Sequence, residues 1–263
     1  MNPAGEAWWL GFFDDAYADL HLTPRTPEAE ARREANADFI VDALELKRGD
    51  RVLDQGCGVG RMACALARRG LQVVGVDLQE RYINRARAAA EAEGVAPRCA
   101  LHAGDAHDFV PDEPCDGVLN WFTSFGYSTD DDVNRRMLRA AHDALKPGGR
   151  FLLDYTSLPF VLAHFRASIV QRPTAAVDGE PWVVQEPTLD FAPRMYRTKW
   201  TFVHPDGRQD VRWTENRAYM PEELMDLLQS AGFTSVELFG SIDRKPFDRK
   251  SPRCILKSRR PAE

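Results

Sequence analysis

The chain has 263 residues, 44% hydrophobic and 28% charged, enough for one large α/β domain with a modest insertion and unlike a disordered, collagenous or coiled-coil chain. A formal net charge of −6 gives no overall attraction for a phosphate backbone, so no nucleic-acid partner is expected; the basic tail Lys257, Arg259, Arg260 is read as a solvated end. Cys57, Cys64, Cys99, Cys115 and Cys254 form no metal-ligand cluster, no apolar run reaches membrane length, and no signal peptide is expected from the aromatic, acidic first twenty residues. A cytoplasmic, reduced protein with no metal and no membrane partner is therefore expected.

From residue 4 to about 46 the pattern is helical, with a break at Thr23-Pro24. Phe39, Ile40 and Ala43 recur at helical spacing within 28–46, and Gly49 lies beyond the end. From Arg51 onward short apolar runs alternate with amphipathic stretches. The pattern predicts strands over 51–54, 72–76, 98–102, 115–120 and 150–154, with helices over 61–69, 79–93 and 131–145. Lys146-Pro147-Gly148-Gly149 is read as the turn before the fifth strand. Strand and helix alternating in this way predict a doubly wound parallel sheet covered on both faces. Between 172 and 219 the period becomes two: 183–189, 197–203 and 210–218 alternate, and His204-Pro205-Asp206-Gly207 makes a hairpin turn. A helix over 221–231 and strands over 235–239 and 253–257 then resume the α/β pattern. The expected organisation is a helical cap (1–50), an α/β domain (51–171 and 220–263) and a small antiparallel β insertion (172–219).

The stretch Asp54-Gln55-Gly56-Cys57-Gly58-Val59-Gly60-Arg61 follows the first strand and opens a helix, where a doubly wound sheet takes its ligand. Its spacing is GxGxG, and Arg61 stands where a nicotinamide or flavin fingerprint places a third glycine. The carboxylate of Asp54 would repel a pyrophosphate and suits a ligand bearing an ammonium and a sulfonium. Asp77, at the end of the second strand, is placed to accept ribose hydroxyls.

These residues resemble class I S-adenosylmethionine (SAM)-dependent methyltransferases, with 54–60 as the first motif and Val73-Val74-Gly75-Val76-Asp77 as the second. Gly104-Asp105-Ala106 and Asp116-Gly117-Val118-Leu119-Asn120 are similar to the family's later segments, in the same order. The resemblance implies a Rossmann-like seven-stranded sheet and SAM as cofactor. It places Gly56, Gly58 and Gly60 around the methionine part, with Asp54 near its amino group. Asp77 would hold the ribose, and Asp105 with Ala106 the adenine. Cys57, Arg61, Leu78, Asn120 and Trp121 complete the implied cofactor set. The plainer alternatives are a tight turn for the glycines and helix-capping or solvated acids for Asp77 and Asp105.

After the fourth strand, Asn120-Trp121-Phe122-Thr123-Ser124-Phe125-Gly126-Tyr127 lacks an Asn-Pro-Pro-aromatic motif. It resembles bacterial small-molecule methyltransferases in which a β-rich insertion roofs the active site. The implied function is methyl transfer to N, O or C of a small molecule, such as a natural-product intermediate. The alternative is a SAM-binding protein of the same fold that is a non-methylating biosynthetic enzyme or a regulatory partner subunit.

Trp8, Trp9, Phe12, Phe13 and Tyr17 either pack the N-terminal helix on the core or close it over the site, with Tyr17 at the substrate. An oxygen nucleophile would benefit from a general base, whereas a neutral amine needs none; His21, Tyr127, Tyr155 and His164 are the catalytic candidates. The expected substrate contacts are Tyr17, Phe125 and Tyr127, with Phe247 and Arg253 from the loop over 241–253. Arg253 is read either as partner of an anionic substrate group or as a surface arginine opening a strand.

Overall fold

Strand β1 (Arg51–Gln55) is buried at four of its five positions with no alternation, the pattern of a strand covered on both faces. The computed structural model describes residues 7–22, 26–172 and 181–263; the expected break at Thr23-Pro24 and the start of the insertion near 173–180 lie outside them. Before β1 come two short helices, α1 (Trp9–Phe12) and α2 (Asp15–Tyr17), a π-helical turn (Ala18–Leu22) and α3 (Pro27–Ala43). Thr26 caps α3, its hydroxyl accepting the Ala29 N–H at 3.2 Å, and Pro27 occupies the first turn, where no donor is required.

After β1 the chain runs α4 (Arg61–Arg68), β2 (Gln72–Asp77), α5 (Glu80–Ala92), β3 (Cys99–Ala103), β4 (Cys115–Asn120), α6 (Asp131–Asp143) and β5 (Leu145–Thr156). A short helix, α7 (Leu158–Ala163), leads to β6 (Ile169–Gln171), β7 (Trp182–Asp190), β8 (Met195–Val203) and β9 (Gln209–Arg217), and α8 (Pro221–Ser230), β10 (Thr234–Phe239) and β11 (Arg253–Arg259) finish the fold. The large sheet has the order β10-β11-β5-β4-β1-β2-β3, and β6-β7-β8-β9 form a separate antiparallel sheet. Strands β1 to β5 are parallel, while β11 is antiparallel to both β5 and β10. The strand order reverses between β1 and β4, so a crevice opens at their carboxyl ends.

One face of the sheet is closed by α3, α4 and α5 around Ile40, Leu66 and Ile83. The other is closed by α6 and α8 around Leu138, Leu228 and Phe233. Two local expectations are corrected. The turn at Lys146–Gly149 is part of β5: Cys115 pairs with Leu145 and Gly117 with Arg150, so the residues between are accommodated as an irregularity of the strand, with Gly148 at φ +78°. Strand β6 was not foreseen because three residues carry no readable period.

Gly60 is at φ +79°, and a Cβ there would stand 2.7 Å from the Ala86 Cβ. It is therefore the residue that lets α4 approach α5. We predict that Gly60→Ala lowers stability by about 2–4 kcal/mol, from the left-handed backbone and the overpacking together. Urea denaturation of the two proteins measures it.

Candidate active site

The crevice is a cavity of about 660 Å³ bounded by the loop after β1, the end of β2, the loop after β4, the N-terminal segment and the antiparallel sheet. Its floor is set by backbone. The Gly56 and Cys57 N–H groups both donate to the Val76 carbonyl, at 2.9 and 3.0 Å, which folds the glycine loop over β2. Gly58 N–H donates to Asp77 Oδ2 and Gln79 N–H to Oδ1, each at 2.9 Å. Asp77 thereby ties the loop to the head of α5. A Cβ on Gly58 would meet only the Leu22 side chain, at 3.8 Å, so this glycine faces open space. One on Gly56 would strike Ser124 Cβ at 2.6 Å, so that glycine admits the loop after β4.

Asp54 is the outlier of the site. It is 2% exposed, and its Oδ2 is buried with no hydrogen-bond partner within the protein. Burial, reinforced by the nearby charge of Asp77, pushes its carboxyl up to about 8. Burial raises Asp77 as well, against the two N–H groups that favour its charged form. A carboxyl kept in this state is costly to the fold and marks a position built for a cationic partner.

Of the residues singled out from the sequence, the cavity brings together Asp54, Gly56, Cys57, Gly58, Arg61, Asp77, Leu78, Asp105, Ala106 and Trp121. Tyr17, His21, Tyr127 and Tyr155 line it too. Asp105 accepts the His107 N–H at 2.9 Å. Burial lowers His21 to about 4, raises Tyr17 to about 12 and raises Tyr127 and Tyr155 further. Each tyrosine is thus held protonated and the histidine neutral. The Tyr155 hydroxyl already donates to the Arg217 carbonyl.

The others stand outside the cavity lining. Gly60 packs helices, and Asn120 is a buried strand residue whose Nδ2 lies 3.8 Å from Met137 Sδ. Phe125 is fully buried, stacked on Tyr219 with centroids 5.9 Å apart. His164 is exposed at the end of α7, stacked on Phe160 at 4.2 Å. Phe247 packs against the α6/α8 core. Arg253 donates to Asp154 Oδ1 at 2.6 Å and to Thr123 Oγ1 at 3.1 Å; its charge is already committed to a buried carboxylate.

The N-terminal aromatics pack on the core and also border the cavity. Trp8 and Phe12 are 7% and 3% exposed, Trp8 packs on Tyr127 at 4.9 Å, and both line the cavity. Sequence reasoning missed Asn36 of α3, Tyr82 of α5 and the face of the small sheet carrying Thr198, Trp200 and Thr214, which also border the cavity. The period-two pattern of β8 held the signal for the last group. Choosing which of its two faces turns inward needed the fold.

Residues 52–149 match the model of a methyltransferase domain. Methyltransferase GfsG of Streptomyces halstedii is 29% identical over 202 residues, 72% of this chain and 71% of that protein. Protein-L-isoaspartate O-methyltransferase of Methylorubrum populi is 31% identical over 149 residues, 55% of this chain and 68% of that one. The chain spans only 37% of another curated relative. Among solved structures, the CcbJ methyltransferase of Streptomyces caelestis superposes with a TM-score of 0.77 at 22% identity, over 94% of this chain and 96% of that one; this likeness is one of fold.

Proposed function

The chain belongs to the class I SAM-dependent methyltransferases, and we propose that it transfers a methyl group to a nitrogen, oxygen or carbon of a small molecule held in the cavity. The observation that carries this reading is Asp54. Its buried, unpartnered oxygen lies at the head of a glycine loop whose Gly58 leaves room for a ligand, and an α-ammonium supplies the missing donor. Two carboxylates and an open glycine backbone fit SAM; they do not fit a pyrophosphate.

When bound, SAM supplies an electrophilic methyl group on a sulfonium. In the proposed arrangement, Asp54 holds the ammonium. Asp77 accepts ribose hydroxyls with the lone pairs left after Gly58 and Gln79, and Asp105 with Ala106 borders the adenine. Trp8, Phe12, Phe13 and Tyr127, packed on one another at 4.9 to 5.9 Å, exclude water and help hold the acceptor close to the reacting methyl. A cavity of about 660 Å³ has the size of a small-molecule site. Among the described residues no helix is long and apolar enough to cross a membrane.

Incubation with SAM carrying a ¹³C-labelled methyl and pooled small-molecule acceptors tests the proposal. S-adenosylhomocysteine should accumulate as one acceptor gains a single labelled methyl. Conversion of an acceptor with SAM unconsumed would instead establish the non-methylating use of the fold.

A further inference from the structure

The antiparallel roof sorts its polar side chains by face. Tyr196, Thr198 and Trp200 are alternate residues of β8. The register sets Asn216 opposite Tyr196, Thr214 opposite Thr198 and Gln185 opposite Trp200. Paired and alternate positions share a face, and all six residues line the cavity. None is charged.

Most charges of the same strands lie on the opposite face and pair with one another; Asp210 and Arg212 share the inner face by register but are not part of the cavity lining. Lys199 meets Glu186 at 2.9 Å, and Arg197 meets Glu215. Arg212, in register opposite Trp200, and Arg217 at the end of β9 are also engaged: Arg212 pairs with Asp14 at 2.7 Å and Arg217 with Asp131 at 3.0 Å. His21, 5.5 Å from Trp200 between ring centroids, is neutral. The remaining charges of the cavity belong to the glycine-loop side. There Arg61 donates to the Leu22 carbonyl at 2.9 Å and Arg33 pairs with Glu30 at 2.6 Å.

We propose that the acceptor is an uncharged, hydroxyl-rich ring, of the chemical class of a glycoside or cyclic polyol, bound against this neutral face. The inference deepens the methyltransferase reading of the same cavity and rests on it. Hydroxyl groups donate and accept at once, as do the hydroxyls and amides of Gln185, Tyr196, Thr198, Thr214 and Asn216. Trp200 is held by its indole N–H, which donates to Thr214 Oγ1 at 3.0 Å; its ring offers an apolar surface to the C–H face of a saturated ring. Among the described residues, an anionic acceptor would find no free cation on this roof, the one uncommitted arginine of the lining, Arg32, standing exposed on α3 at the glycine-loop side; a neutral ring against the roof avoids that desolvation cost. The roof thus selects against charge as much as it selects for hydroxyls.

The test uses the full chain saturated with S-adenosylhomocysteine and ligand-observed NMR against matched sets: neutral phenyl and methyl hexosides, their 6-phosphates and the corresponding uronides. The neutral members should bind, at least about 10-fold more tightly than the anionic ones. Gln185→Lys and Asn216→Lys, both half-buried positions, should each shift the preference toward the phosphates, with folding checked by thermal melting. Equal or tighter binding of an anionic member by the unaltered protein, or no binding of any neutral member, overturns the proposal while leaving the methyltransferase reading intact. Failure of S-adenosylhomocysteine itself to bind overturns that reading and this one with it.

Discussion

Asp54→Asn is expected to weaken SAM binding about 100-fold and, at the same time, to stabilise the ligand-free protein. The carboxyl is 2% exposed, and burial beside Asp77 lifts it from the ordinary value of 3.8 to about 8. A folded-state value above the unfolded one means that the folded chain binds the extra proton. Stability from this group is therefore full below about pH 4 and lost as pH rises toward about 8. Above that, the protein carries an uncompensated buried charge. Asparagine never ionises, so the variant should melt several degrees higher at pH 8.5 and nearly the same at pH 4, given roughly 2–4 °C per kcal/mol for a chain of this size. Its SAM affinity should fall about 100-fold, because the ammonium loses the buried charge that receives it. The same logic predicts that SAM binding by the unaltered protein near pH 7 releases close to one proton, read by calorimetry in buffers of different ionisation enthalpy. Stability bought by removing a charge and lost in function identifies a binding residue, since a purely structural carboxylate would cost stability on removal.

Asp77→Ala is the second large effect. The side chain accepts the Gly58 and Gln79 N–H groups, each at 2.9 Å, and in the proposed site it also accepts the ribose hydroxyls. Its loss should weaken SAM about 100-fold, roughly 3 kcal/mol for hydrogen bonds to a buried charge, and lower the melting temperature as well. The two consequences separate in Asp77→Asn, whose one amide oxygen can still accept a backbone N–H but offers no charge to the hydroxyls: stability should largely return and affinity should not. Phe247→Ala, in the α6/α8 core and outside the cavity lining, should leave SAM affinity unchanged. Equal affinity for SAM in the unaltered protein and Asp77→Ala would contradict the ribose assignment.

The sequence was most informative where one residue type had one physical reason to be there. The strand ends at Gln55, Asp77 and Asn120 and the helix starts at Arg61, Asp131 and Pro221 could be read within a residue or two, because apolar runs and caps are local signals. The glycine loop was legible for its backbone, but not for the division of labour among its glycines. Gly58 faces open space, Gly56 admits Ser124 and Gly60 admits Ala86, distinctions that depend on neighbours far along the chain. Arg253 shows the same limit. Its place at the carboxyl edge of the sheet followed from topology and holds, since it pairs with Thr156 at the end of β5. Its partner Asp154 could not be read because nothing local in Phe151-Leu152-Leu153-Asp154 says that the carboxylate turns toward β11. The roof was recognised by its period, whereas its neutral inner face emerged only once β7, β8 and β9 were in register.

Calorimetric titration of the purified chain with SAM, and separately with NADH, tests the central claim most directly. The account predicts micromolar binding of SAM, with proton release near pH 7, and no binding of NADH. Binding of NADH, or no binding of SAM across pH 6 to 9, would contradict the assignment of Asp54, the glycine loop and Asp77 as a SAM site.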